Sequence, residues 1–289
     1  MLQLEGVSKV YKVGTFGSTS LTAVRDVSFD VRPGEVVSLI GESGSGKTTI
    51  GRMVLRLASV SAGKVSFDGI DVSRLDRGAL KSYYSQVQGV FQDPFSSYNP
   101  IFKVDRVLTM LRDAYFRDVR GKEWRARLED SLGAVSLTAD DVLGKYPHQL
   151  SGGQLQRLLI ARALLLEIKL LVADEVISML DASTRVDVLN LLGELKGRGL
   201  GVLFITHDLS LGNYISDHTV ILRRGIVVER GETEKVFGNP RHPYTQMLVE
   251  SVPQLTRKWG QNAPPDADAE PDPEGDLVEV EPGHWVAAR

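Results

Sequence analysis

Apolar positions along this 289-residue chain fall into three rhythms. Near the N-terminus they alternate with polar ones: Leu2 and Leu4, then Val27, Phe29 and Val31 ahead of the turn Arg32-Pro33-Gly34-Glu35, and later Val65 and Phe67 before Gly69. Period two predicts half-buried antiparallel strands. Elsewhere the apolar residues run together, in Glu35–Ile40, Leu170–Ala173 and Gly201–Ile205. Such short runs predict strands covered on both faces. The third rhythm is helical. Ile50, Val54 and Leu57 predict a helix over Lys47–Leu57, and Val188, Leu191, Leu192 and Leu195 predict another. Leu158, Leu159, Ala161, Leu164 and Leu165 mark a buried helix.

Strands alternating with helices predict an α/β core. From about Pro94 to Pro147 the pattern changes. The Leu108–Leu132 region is charged, with apolar residues at irregular helical spacing, and reads as a helical insertion. Val220–Leu222 and Ile226–Val228 flank Arg223-Arg224-Gly225 and predict a hairpin. Gly14–Ser20 reads as a loop. Gln261–Glu281, rich in Pro, Asp, Glu and Ala, reads as a poorly ordered extension.

Composition narrows the classes. Hydrophobic content of 42% and charged content of 25% suit a globular protein with a sizeable core. A net charge of −3 implies no general affinity for nucleic acid. No run of about 18 apolar residues is present to span a membrane. The first residues lack a basic segment followed by an apolar one, so no secretion signal is expected. Cysteine is absent, which excludes disulfides, thiolate metal sites and a cysteine nucleophile. A cytoplasmic protein is the expectation.

The chemistry centres on Gly41-Glu42-Ser43-Gly44-Ser45-Gly46-Lys47-Thr48. It fits G-x-x-x-x-G-K-[S/T] at every fixed position. Its glycines let backbone N–H groups turn toward a phosphate chain, Lys47 adds a charge for the β- and γ-phosphates, and the Thr48 hydroxyl can ligate Mg²⁺. Thr49 extends the nucleotide-binding set. The strand before the loop and the helix after it are the context this motif needs. A second element is Asp174, at the end of an apolar strand, where its carboxylate can hold Mg²⁺. Glu175 beside it can deprotonate a water for in-line attack on the γ-phosphate. A third is Leu150-Ser151-Gly152-Gly153-Gln154, ahead of a helix. On its residues alone it is either a second anion-binding helix start or an ordinary serine cap with a glycine turn.

Together these motifs resemble the ATP-binding subunits of ABC transporters, over residues 1 to about 250. Ser178-Met179-Leu180-Asp181 resembles the family's D-loop, His207 its switch histidine, Gln92 its Q-loop glutamine and Tyr11 the aromatic that stacks on adenine. The resemblance implies a P-loop NTPase core with an N-terminal antiparallel β subdomain and an inserted α-helical subdomain. It implies an ATPase core at 1–94, a helical subdomain at 95–150, the core resumed at 151–235 and a C-terminal extension, partly disordered, at 236–289. Glu175, His207 and Gln92 would be catalytic. Thr48, Gln92 and Asp174 would hold Mg²⁺. Tyr11, the phosphate loop, Ser151, Gly152, Gly153, Gln154 and Asp181 would bind ATP, with Ser151–Gln154 acting on the nucleotide of a second subunit. The implied partners are that second ATPase subunit, preferably a different chain, two integral membrane permease subunits and, indirectly, an extracytoplasmic substrate-binding protein. No nucleic acid is among them. The expected place is the cytoplasmic face of the cell membrane.

Gln92-Asp93-Pro94-Phe95-Ser96-Ser97-Tyr98-Asn99-Pro100 and Asn239-Pro240-Arg241-His242-Pro243-Tyr244-Thr245 resemble runs in peptide-importer ATPases. Neither has an evident catalytic role. Nickel and oligosaccharide importers share the subfamily and are the alternatives, with a soluble non-transport ABC ATPase behind them. Two departures stand out. Val176-Ile177 and Met179 replace residues usual after the catalytic Glu and within the D-loop, and Met179 could alter how two subunits meet. Gly283–Arg289 resembles the end of an extension that carries an iron–sulfur cluster in some relatives, yet this chain has no cysteine to hold one.

Overall fold

The N-terminal alternation becomes an antiparallel pair in the computed structural model, which describes residues 1–13, 19–178, 180–251 and 276–288. Strand β1 (Leu2–Val13) pairs with β2 (Thr19–Val31), Leu2 opposite Val31 and Leu4 opposite Phe29. Thr19 and Ser20 therefore belong to a strand and not to the expected loop, because they continue the ladder opposite Val13 and Lys12. The rest of that loop, 14–18, lies outside the described residues. After Gly34 come β3 (Val36–Ile40), α1 (Lys47–Val54), β4 (Ala62–Phe67) and β5 (Ile70–Asp71). One sheet takes the order β2-β1-β4-β5.

Helix α1 is shorter than its apolar spacing predicts. The chain turns left-handed at Arg56 (φ 52°), and the N–H groups of Leu57 and Ala58 both close on the Arg52 carbonyl. Leu57 is left 60% exposed and joins no core.

Two compact units divide the chain: Met1–Leu75 with Gly201–Arg289, and Asp76–Leu200. The second holds α2 (Arg77–Gln86), β6 (Val87–Val90), α3 (Asp105–Tyr115), α4 (Gly121–Ala134), α5 (Ala139–Val142), α6 (Gly152–Leu164), β7 (Leu170–Asp174) and α7 (Ala182–Gly197). The charged Leu108–Leu132 region is two helices broken between Tyr115 and Gly121. It buries Leu108, Trp124, Leu128 and Leu132 while its charges face water. Strands β6 and β7 are parallel, Val90 opposite Ala173.

The first unit resumes with β8 (Gly201–Thr206), α8 (Leu209–Ile215), β9 (His218–Arg223), β10 (Ile226–Glu232), α9 (Thr233–Gly238), α10 (Pro243–Ser251), β11 (Leu277–Glu281) and β12 (His284–Ala287). Its strands follow the order β11-β12-β10-β9-β3-β8. β3 runs parallel to both β8 and β9 and is wholly buried, as an uninterrupted apolar run requires. β9 and β10 form the expected hairpin, turning through left-handed Arg224 and Gly225 (φ 45° and 85°).

One expectation is corrected here. Leu277–Glu281 is not part of a loose extension but a strand, paired antiparallel with β12, which pairs in turn with β10. Its acidic alternation disguised it, because the strand has half-buried and exposed positions only and no apolar face to bury. Residues 261–275 of the same segment lie outside the described residues.

Candidate functional site

The phosphate loop begins where β3 ends. A side chain at Gly41 would meet the Leu222 carbonyl oxygen at 2.0 Å, and one at Gly46 would meet the Ala23 carbonyl oxygen at 2.5 Å. Gly46 is also left-handed (φ 102°) and caps α1. These two glycines are required by close backbone approach, whereas Gly44 (φ 83°) borders open space and is required by its conformation. The Lys47 ammonium, only 7% exposed, donates to the carbonyls of Gly41 and Glu42, both at 2.7 Å. Glu42, Ser43, Gly44 and Thr48 are exposed around it, Thr49 is half-buried and Ser45 is buried. No acidic residue occupies the first turn of α1. The positive end of that helix therefore points at exposed loop backbone with no carboxylate in its first turn, an arrangement suited to an anion.

Parallel register brings His207 to the same edge. Ile40 lies opposite Thr206, so Gly41 and His207 leave neighbouring strands at their C-terminal ends. This is the end of a parallel sheet where ligands bind. His207 is exposed. The chain on either side is fixed: Asp208 N–H donates to Thr206 Oγ1 (3.0 Å), and the Asp208 carboxylate caps α8 through Ser210 and Leu211. Tyr11 lies on β1 opposite Leu21, half-buried, with the Lys9 ammonium 4.9 Å from its ring centre.

In the second unit a similar register gathers the other candidates. Val90 and Ala173 are opposite, so Phe91-Gln92 and Asp174-Glu175 leave adjacent strands together. Asp174 is 4% exposed and Gln92 is exposed. Glu175 has a left-handed backbone (φ 54°), unusual for a residue with a side chain and costing about 1 kcal/mol or more. The turn that holds it is closed by Ser178, whose N–H and hydroxyl both donate to the Glu175 carbonyl (3.1 and 2.9 Å). Val176 and Ile177, the departures from the family pattern, are each 2% exposed and serve as core under that turn. Met179 lies outside the described residues.

Ser151 and Gln154 form a reciprocal cap on α6. The Ser151 hydroxyl accepts the Gln154 N–H (3.1 Å), and the Gln154 amide oxygen accepts the Ser151 N–H (2.9 Å). So the ordinary cap is present. It does not account for the glycines: a side chain at Gly152 would meet nothing within 4 Å, and one at Gly153 only ordinary van der Waals contacts with Leu180 (3.5 Å), Thr184 (3.8 Å) and Ser151 (3.9 Å). Asp181 caps α7 through the N–H and hydroxyl of Thr184 and the hydroxyl of Ser183. Those bonds, the Ser183 hydroxyl first, hold its carboxyl far below the usual range.

Some supporting residues escaped the motif reading. Gln156, in α6, donates to the Phe91 carbonyl (3.3 Å), and Arg162 donates to the Gly89 carbonyl (3.3 Å). Both tie α6 to the strand that leads into Gln92. Arg185 donates to the Leu180 carbonyl (2.8 Å) behind the D-loop segment. Gln156 and Arg162 leave no signal in spacing, since they act on backbone 65 and 73 positions away, whereas Arg185 reaches only five positions back.

Known proteins supply the remaining observation. Residues 24–178 match the model of the ABC transporter family, and residues 228–276 match the oligopeptide/dipeptide transporter C-terminal region. The oligopeptide transport ATP-binding protein OppF of Streptococcus mutans is 40% identical, covering 100% of this chain and 94% of its own. The dipeptide transport ATP-binding protein DppF of Lactococcus lactis is 39% identical over 99% and 93%. Among solved structures, a dimeric ATP-binding cassette in a post-hydrolysis state with ADP and Pi superposes with a TM-score of 0.72. It is 30% identical and covers 81% of this chain and 99% of that one.

Proposed function

This chain belongs to the ABC transporter family, and on that premise we propose that it is the ATP-hydrolysing subunit that drives a peptide importer. The observation that carries the peptide assignment is the match of residues 228–276, beyond the cassette itself, to the oligopeptide/dipeptide transporter C-terminal region. No helix among the described residues is long and apolar enough to cross a membrane. The relatives are transport ATP-binding proteins, and in this reading import uses membrane permease subunits. We assign two of them, a second ATP-binding subunit of different sequence, and an extracytoplasmic binding protein that delivers the peptide. The proposed place is the cytoplasmic face of the membrane.

In this mechanism ATP lays its phosphates on Gly41–Thr49, where backbone N–H groups, the α1 dipole and the Lys47 charge receive them. The Tyr11 ring faces adenine. Thr48, Gln92 and Asp174 offer the hard oxygen donors that suit Mg²⁺, which when bound neutralises phosphate charge. Glu175 takes the proton of a water whose oxygen bonds to the γ-phosphorus as the bond from that phosphorus to the ADP oxygen breaks and ADP leaves, and His207 donates a hydrogen bond to a γ-phosphate oxygen. Asp181 and the Ser151–Gln154 segment serve the site of the opposing subunit, where the N–H groups at the start of α6 stabilise the γ-phosphate. The division into core (1–94 and 151–235), helical insertion (95–150) and extension (236–289) assigns hydrolysis to the core and permease coupling to the insertion.

The support for action across a subunit boundary is Gly152. Glycine at a helix start with free space around it gains this chain nothing, and alanine is the better helix former by up to about 1 kcal/mol. Gly152→Ala is therefore expected to leave thermal stability equal or slightly higher while cutting turnover at least about tenfold. Phosphate release and a melting curve on the same sample check this. Full activity would remove the segment from the reaction.

The transport assignment is tested by deleting the gene in its native host and following a labelled tripeptide. Uptake falls to background and returns with the wild-type chain. Undiminished peptide uptake together with loss of ⁶³Ni²⁺ uptake would replace the peptide reading by the nickel one.

A further inference from the structure

The Asn239–Thr245 run, which has no part in the chemistry above, touches the phosphate loop. The Glu42 N–H donates to the Tyr244 hydroxyl oxygen at 3.2 Å. That N–H belongs to the same peptide unit as the Gly41 carbonyl, which accepts from Lys47. The first peptide of the loop is thus gripped from two sides, by the phosphate-binding lysine and by Tyr244.

Tyr244 is itself held rigidly. It is 2% exposed and packs in a cluster with Ile40, the last residue of β3, and Leu209, two residues after His207. The Arg223 guanidinium lies 5.1 Å from its ring centre. Burial pushes its phenol up to about 12, so it stays a neutral acceptor at working pH. Its own N–H donates to His242 Nδ1 (3.1 Å), which fixes the first turn of α10.

Behind His242 lies a buried ionic cluster. Glu229, on β10 and fully buried, accepts the N–H groups of Arg241 (2.8 Å) and His242 (2.9 Å). It is also 2.7 Å from His284 Nε2, and the other nitrogen of that ring is 2.8 Å from Glu281. His284 is likewise fully buried. A carboxylate taken out of water this far is tolerated only when surrounded by donors, and such a network specifies one geometry. The backbone closes on it as well, since a side chain at Gly231 would meet the Gly283 carbonyl oxygen at 2.7 Å. A continuous path of bonds therefore links the β11–β12 hairpin, through Glu229 and His242, to Tyr244 and the phosphate loop.

We propose that Tyr244 is a positioning residue for the phosphate loop, and that the C-terminal hairpin sets nucleotide affinity by holding it through Glu229, His242 and His284. The proposal rests on the phosphate-loop assignment. Tyr244 touches no reacting atom in this scheme. It presets the Gly41–Glu42 peptide so that the loop is ordered before ATP arrives, and a preordered loop loses less entropy on binding.

The test uses the full-length chain with Mg²⁺ and a fluorescent N-methylanthraniloyl ATP. Tyr244→Phe keeps the ring and removes only the acceptor. It is expected to weaken binding about fivefold, raise KM in step, leave kcat within about twofold, and speed amide exchange across 41–46. His284→Gln, which leaves Tyr244 in place, is expected to act in the same direction. Combined with Tyr244→Phe it should add less than the sum, as members of one network do. Wild-type affinity and loop exchange in Tyr244→Phe would overturn the proposal, as would a lowered melting temperature with unchanged affinity. Lys47→Ala is measured alongside. If it also bound normally, the phosphate-loop assignment itself would fall; if it lost binding while Tyr244→Phe did not, only the positioning role would.

Discussion

Replacing Glu175 by Gln is expected to lower ATP turnover by about a thousandfold and leave ATP affinity within about twofold of wild type, the range that general base catalysis supplies. The substitution keeps size and shape and removes the ability to accept a proton. The backbone around it argues for this role. A left-handed residue bearing a side chain is strained, and the strain persists only because Ser178 closes the turn while Val176 and Ile177 anchor it from below. Strain of this kind directs a side chain where relaxed backbone would not. Phosphate release measured at saturating ATP, with affinity from a separate titration, separates the two effects. Turnover within tenfold of wild type would assign the proton to another acceptor.

Lys47→Ala has the second large effect, on binding itself. Affinity for ATP is expected to fall about a hundredfold, as loss of a charge-assisted bond to a phosphate in a sheltered loop costs about 2–3 kcal/mol. The side chain is nearly buried, and its ammonium donates to two carbonyls of the same loop and, at 3.4 Å, to the Ser45 hydroxyl. Those carbonyls lose a donor in the variant, so a drop in melting temperature of a few degrees accompanies the change. Isothermal titration with ATP and Mg²⁺ reads the affinity directly. Unchanged binding would mean that the loop holds something other than phosphate. The two variants differ in kind: one separates binding from hydrolysis, the other weakens both through the first.

The match between sequence and structure was uneven for physical reasons. Buried strands were plain, because an element covered on both faces has no polar positions to dilute its signal, as in β3 and β8. Strand β11 is hidden in the sequence because its acidic, mostly exposed residues look like a solvated tail; it is a strand only because β12 pairs with it. The end of α1 differs from its apolar pattern because Leu57 keeps the helical spacing, while the left-handed turn at Arg56 takes it out of the helix. The serine–glycine segment had two readings on its residues. The cap proved real, and the open space at Gly152 left the second reading standing beside it.

Read alone, the chain makes legible the candidate chemistry carried by neighbouring residues. A phosphate loop works through backbone and side chains a few positions apart, so eight consecutive residues carry it. The acidic pair after an apolar run is equally local. What such a loop rests on depends on packing between segments distant in the chain. Register placed His207 beside Gly41 and Gln92 beside Asp174, because parallel strands put the ends of distant segments at one edge. Packing brought Tyr244 to Glu42 across 202 positions of chain. It also buried His284 between two glutamates, one of them 55 positions away. Contacts of that range leave no periodic trace, since they depend on which surfaces meet once the local elements have formed.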